Sequence, residues 1–144
     1  MEEQQRQIWQ RVSSPMESTE EDIRPLILEA ARSLGVYRHL AAGSSGGQRE
    51  QIQGLQRLAR QTLDALRGIQ TMSGHSAGDL HVPSVFGRNP RRLLEGEYFS
   101  CLVRIREYLS RSGDPRYGGV YRRLAEREEE MALILAQLVG NNAE

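Results

Sequence analysis

The sequence predicts an all-α fold, a bundle of four long helices packed side by side. Three observations carry the prediction. Four stretches place residues at alternating steps of three and four, the seam of a helix buried in a bundle. Clusters of glycine, serine and proline divide those stretches at three places. A length of 144 residues suits one domain with a sizeable core and is too short for two ordinary ones.

Residues 1–17 are read as an accessory amphipathic arm, in which Ile8, Trp9 and Val12 share a helical face before Ser13, Ser14 and Pro15 interrupt it. Trp9 either caps the bundle or is offered to a partner subunit. The bundle itself is expected over 18–140. Ser18 or Thr19 is available as N-cap, Glu20, Glu21 and Asp22 sit in the first turn, and Pro25 falls early enough to be tolerated. The first seam is Ile23, Ile27, Ala30, Leu34, Tyr37 and Ala41, ending near Ala42 at a loop of Gly43, Ser44, Ser45, Gly46 and Gly47.

The second seam, Ile52, Leu55, Ala59, Thr62, Leu66 and Ile69, is an uninterrupted heptad pattern that stops near Ser73 and Gly74. Residues 74–90 hold glycines, prolines and two histidines without periodicity, so a long crossover is expected there. The third helix starts near Pro90 with Asn89 as cap, and its seam is read as Leu94, Tyr98, Cys101, Ile105 and Tyr108. Ser112, Gly113, Asp114 and Pro115 end it, with Asp114 capping the last helix. That helix, roughly Tyr117 to Leu138, carries Tyr117, Tyr121, Leu124, Glu128, Met131, Leu135 and Leu138. Residues 141–144 are left as a disordered tail. Connections that run short, long and short make an up-down-down-up bundle with one crossover.

One seam residue is of the wrong kind. Glu128 lies on the buried stripe, where a carboxylate costs several kcal/mol unless it is paired, bound or protonated. Two readings stand: a protonated carboxyl hydrogen-bonded to Thr62, Tyr37 or Tyr108, or a ligand for a metal or small molecule. On the first, Glu128 has a raised pKa and Glu128→Leu gains about 1 kcal/mol.

Composition excludes several functions. With 19 basic and 19 acidic residues the net charge is zero, so no global field draws nucleic acid or an anionic membrane. Every basic residue is Arg, which bars lysine chemistry and is attributed to genome base composition before any need for bidentate pairing. The single cysteine, Cys101, rules out an internal disulfide, the polar N-terminus is no signal peptide, and no apolar run approaches ~20 residues. A cytoplasmic protein is expected.

The residues also resemble a known family. E-A-A-R-x-L-x-V-Y-R-x-L-A from Glu29, L-x-R-L-A-R-x-T-L-x-A-L from Leu55 and D-P-R-Y-G-G-V-Y-R-R-L-A-E-R-E from Asp114 look like a ferritin-like protein of the rubrerythrin-like group. In that family a Glu on each of two helices and a Glu-x-x-His pair on each of the other two hold two irons. Carried over by position, the resemblance puts these ligands at Ala30 and Cys101, each seven before a tyrosine, at Thr62 and Ala65, and at Glu128 and Met131. Only Glu128 is of ligand type. In the second helix a shift of one turn would offer Gln56 or Gln61 instead.

Other candidates for chemistry are weaker. Glu29 is one residue, about 100°, away from the ligand position and reads as a solvated or rim residue. Cys101 is either a small apolar core residue or a soft-metal or redox thiol. His39 is off its seam, and His75 and His81 are loop residues without a carboxylate or thiol pattern. Glu126, Glu129 and Glu130 form a charged face with Arg122, Arg123 and Arg127. Gly46-Gly47 lacks a preceding strand, so phosphate cradling is unsupported.

The expected function is a non-catalytic ferritin-like protein that has lost its di-iron ligands and acts as a binding or oligomerisation module, with no cofactor, and most simply a homodimer. The alternative is an oxidoreductase of rubrerythrin-like peroxide or iron chemistry, using iron or another divalent metal at a reduced site around Glu128.

Overall fold

The computed structural model describes residues 23–75, 78–85 and 89–141. The expected N-terminal arm and the cap at Ser18 or Thr19 lie outside them, as do residues 142–144. The described residues contain four helices and no strand: α1 over 23–42, α2 (Gly46–Met72), α3 (Pro90–Ser110) and α4 (Gly118–Asn141).

Every residue of the first, second and fourth predicted seams is buried. Three boundaries follow the local chemistry expected of them. The Asn89 side chain accepts the Arg91 N–H at 2.9 Å, with Pro90 in the first turn of α3. Asp114 Oδ1 accepts the N–H groups of Arg116 and Tyr117 at 2.8 and 2.9 Å, so it caps the turn leading into α4. Ser73 closes α2 by donating its backbone N–H to Ile69 O at 2.9 Å. The predicted Gly/Ser loop is shorter than expected: α2 begins at Gly46, which takes φ +62°. Asn141, expected in the tail, ends α4.

Contacts between helices set the direction of each. Glu29 meets Arg104 while Ser33 and Tyr37 meet Glu97, so α1 and α3 are antiparallel. Gln51 Nε2 donates to Gln137 Oε1 at 3.3 Å near one end of α2, and the hydroxyls of Ser73 and Tyr117 lie 3.3 Å apart near the other, so α2 and α4 are antiparallel. With short connections joining α1 to α2 and α3 to α4, the order is up-down-down-up, and the stretch between Met72 and Pro90 is the crossover.

The crossover is tied down rather than draped over the surface. Leu80, Val82 and Val85 pack against the core, and Arg67 Nη2 donates to the Gly78 carbonyl at 2.9 Å. Its backbone passes so close to α1 that a Cβ on Gly35 would run into the Pro83 carbonyl oxygen. A side chain there would push loop and helix apart.

Candidate functional site: a buried ion network centred on Arg104

The third seam is where the structure departs from the sequence reading. The buried stripe of α3 is Leu94, Glu97, Cys101, Arg104 and Tyr108; Tyr98 and Ile105 are only partly buried beside it. Both readings keep the 3-4 spacing and share Leu94, Cys101 and Tyr108. Choosing the apolar residue at each ambiguous step picks the wrong one. The reason is Glu128: a buried carboxylate on α4 needs a cation facing it, and α3 supplies Arg104.

Glu97, Arg104 and Glu128 are 2%, 3% and 2% exposed. Arg104 spreads its guanidinium over three carboxylates from three helices. Its Nε lies 3.1 Å from Glu128 Oε2, its Nη2 3.5 Å from Glu97 Oε2, and its Nη1 3.3 Å from Glu29 Oε1. Nη2 also donates to Cys101 Sγ at 3.4 Å. The Nε–Glu128 contact is an ion pair, not an aligned hydrogen bond, since neither atom has a hydrogen-bond partner of good geometry. A lysine could not reach in three directions at once; the fork of an arginine can.

Glu97 is fully engaged. Arg32 Nη1 donates to its Oε1 at 2.7 Å, and Ser33 Oγ and Tyr37 OH donate to its Oε2 at 2.8 and 3.3 Å. At the rim Arg32 also holds Glu29, with Nε 3.1 Å from both carboxylate oxygens and Nη2 2.5 Å from Oε1. The network therefore grades from a wet edge at Glu29 and Arg32, whose side chains are 38% and 40% exposed, to a dry interior at Glu128.

Burial raises the Glu128 pKa above its ordinary value, with the Arg104 charge working against that rise. Desolvation opposes the charge on Arg104, but Glu128 and the other acidic groups around it outweigh this and hold the guanidinium protonated. Glu29 moves the opposite way to Glu128, lowered chiefly by its hydrogen bonds from Arg32. Burial pushes the Cys101 thiol up to about 12, with the Glu128 charge adding to the rise. Such a thiol stays protonated at neutral pH and is no nucleophile.

The expected partners of Glu128 are thus replaced. The Thr62 and Tyr108 hydroxyls have no hydrogen-bond partner, and the Tyr37 hydroxyl goes to Glu97. The sequence reading missed Arg104, Glu97, Arg32 and Ser33. One signal was present: Arg104 lies three after Cys101 and four before Tyr108, so it satisfies the seam as well as Ile105 does.

Of the positions that the resemblance assigns to metal ligands, Ala30, Thr62, Cys101, Glu128 and Met131 are buried and Ala65 packs partly buried at the edge of the core. They do not fit an iron pair. Ala30 and Ala65 carry no donor, Met131 offers a soft thioether, Cys101 is held as a thiol, and a fixed cation stands against the one carboxylate, whereas iron pairs need oxygen-rich, charge-balanced ligation. His39 is half-buried on α1, and His75 and His81 are exposed on the crossover. Among the described residues no group of three or more His, Cys, Asp or Glu is arranged to hold a metal ion, and no helix is long and apolar enough to cross a membrane.

Comparison of the chain with protein-family models, with curated proteins and with solved structures returns no match.

Proposed function

We propose that the chain is a ferritin-like bundle of the rubrerythrin-like group that has no di-iron centre and works as a binding or oligomerisation module, not as an enzyme. The observation that carries this reading is the Arg104 guanidinium. It neutralises, from within the chain, the kind of carboxylate cluster that a ferritin-like core uses to hold metal, and a metal cation brought to Glu128 would have to sit against a positive charge 3.1 Å away. The up-down-down-up order with a single crossover, derived from contacts across the bundle, agrees with the same ancestry. A cytoplasmic setting goes with it, since the lone cysteine is kept as a buried thiol.

The test is aerobic reconstitution with ferrous iron, followed by metal analysis and an absorption spectrum. We expect substoichiometric iron, no oxo-bridge band and no peroxidase or ferroxidase turnover. Iron bound at the family's ratio of a pair per chain, with the band present, would replace this reading with the metal-dependent oxidoreductase.

A further inference from the structure

The face of α3 opposite its buried stripe is also apolar. Phe99, Leu102, Val103 and Leu109 are exposed, Phe99 by 65% and Val103 by 62%. Phe99, Leu102, Arg106 and Leu109 follow one another at steps of three, four and three, so α3 carries a second seam, turned outward. Glu95 continues it one step toward the N-terminus. A helix with seams on two sides packs on two sides, and among the described residues the bundle covers only one of them.

We propose that the outer seam of α3 is a homodimer interface, in which two copies of α3 pack antiparallel about a two-fold axis that passes between Ser100 and Cys101. The occupant follows from the order of residues along the seam. In an antiparallel pair each inward position of one helix faces the alternate inward position of the other. With the axis placed there, Phe99 packs on Leu102 of the second copy, and Arg106 meets Glu95 of the second copy. The exposed Val103 lies over Gly96 of the second copy, where the space above the glycine is open. The Phe99–Leu102 and Arg106–Glu95 pairings fall in one register, with Val103 and Gly96 flanking them two residues out of level, and the two-fold repeats each contact, as an isologous interface requires. An unrelated helix would not have to match Arg106 with a carboxylate one heptad layer from an aromatic-leucine contact. The match to its own sequence selects a second copy.

Glu95 is positioned for this role by Arg91, whose Nε donates to Glu95 Oε1 at 3.1 Å within the same helix, leaving the second oxygen for Arg106. The interface does not use Arg104 or Glu128, so it deepens the oligomerisation half of the proposed function without depending on the metal half.

The experiment is sedimentation or light scattering on the full chain at tens of micromolar, with Arg106→Glu and Glu95→Arg/Arg106→Glu as variants. All exchanged residues are surface groups, and far-ultraviolet circular dichroism confirms that the helices are kept. The wild type is expected to be a dimer. Arg106→Glu sets like charges against each other twice per dimer and weakens association tenfold or more. The double reversal restores the attraction and brings affinity back to within a few-fold of wild type. A monomeric wild type overturns the proposal, as does a dimer that Arg106→Glu leaves intact or that the double reversal does not rescue. Iron analysis on the same samples keeps the two proposals apart: a metal-free monomer ends this one alone, and an iron-loaded dimer ends only the reading of the core.

Discussion

Removing the charge at Arg104 should damage the fold far more than removing the charge at Glu128, and the two losses should not add. At an effective dielectric of about 20, unit charges 3.1 to 3.5 Å apart attract by roughly 5 kcal/mol before desolvation is subtracted, and those are the distances from Arg104 to Glu128 and Glu97. The Glu29 contact is more than a third exposed and contributes under about 1 kcal/mol after screening. Glu128→Leu forfeits one of the two strong attractions and recovers the several kcal/mol that burying a carboxylate costs. Arg104 keeps Glu97, so the net loss is expected to stay under about 2 kcal/mol. Arg104→Met forfeits both attractions, recovers one desolvation cost and strands Glu128 with no cation. The expected loss is about 3 to 5 kcal/mol, bounded because Glu128 can take up a proton at 1.36 kcal/mol per pKa unit. In the Arg104→Met/Glu128→Leu chain the stranded group is gone, so the double variant should be more stable than the sum of the singles by about 2 kcal/mol or more. Urea unfolding followed by circular dichroism at pH 7 measures all four corners of the cycle. Additive losses, or an Arg104→Met protein no worse than Glu128→Leu, would refute the view that the guanidinium balances this cluster. The gain of about 1 kcal/mol expected from sequence for Glu128→Leu presumed a carboxyl with no cation beside it, and that premise fails with Arg104 in place.

The remaining predictions concern pH and the crossover. Because the folded-state pKa of Glu128 is raised above 4.5, the unfolded chain releases this proton first, and the group's contribution to stability falls as pH rises from 4.5 toward its folded value. The wild type should therefore lose stability relative to Glu128→Gln over that rise, read from urea midpoints at several pH values. A constant difference would mean that Glu128 titrates alike in both states. Gly35→Ala should cost about 1 to 3 kcal/mol by forcing α1 away from the Pro83 carbonyl, seen as a lower melting temperature, whereas Gly68→Ala on the exposed face of α2 should be neutral or better. Equal behaviour of the two would show that the crossover does not press on α1.

The sequence disclosed the helices, the long crossover and three of the four seams because apolar spacing is a local signal. Ile52 through Ile69 needed no knowledge of any other helix. The candidate site was half legible: Glu128 stood out as a buried acid, but its counter-charge did not, because whether Arg104 or Ile105 turns inward depends on what α4 brings to meet it. The rule that buries the apolar alternative fails where a distant carboxylate has already been buried. Glu97 was missed for the same reason, since its partners Ser33 and Tyr37 lie 64 and 60 residues away. At Arg104 the arginine is used for the reach of its fork, which touches three carboxylates at once.

The ion network joins α1, α3 and α4 and leaves out α2, whose buried side chains are apolar but for Thr62. Apolar contacts alone are nearly indifferent to sliding by one heptad, because a leucine offered where another leucine belonged still buries its surface. Charges are not indifferent: Arg104 meets its three carboxylates in only one alignment of those helices. Three helices are thus keyed to one another like a lock with a single cut, while the fourth is held by apolar grip and by neutral contacts near its ends, Gln51 to Gln137 and Ser73 to Tyr117. Any rearrangement of this bundle that keeps it compact would be expected to begin with α2 shifting along its groove, the other three staying aligned.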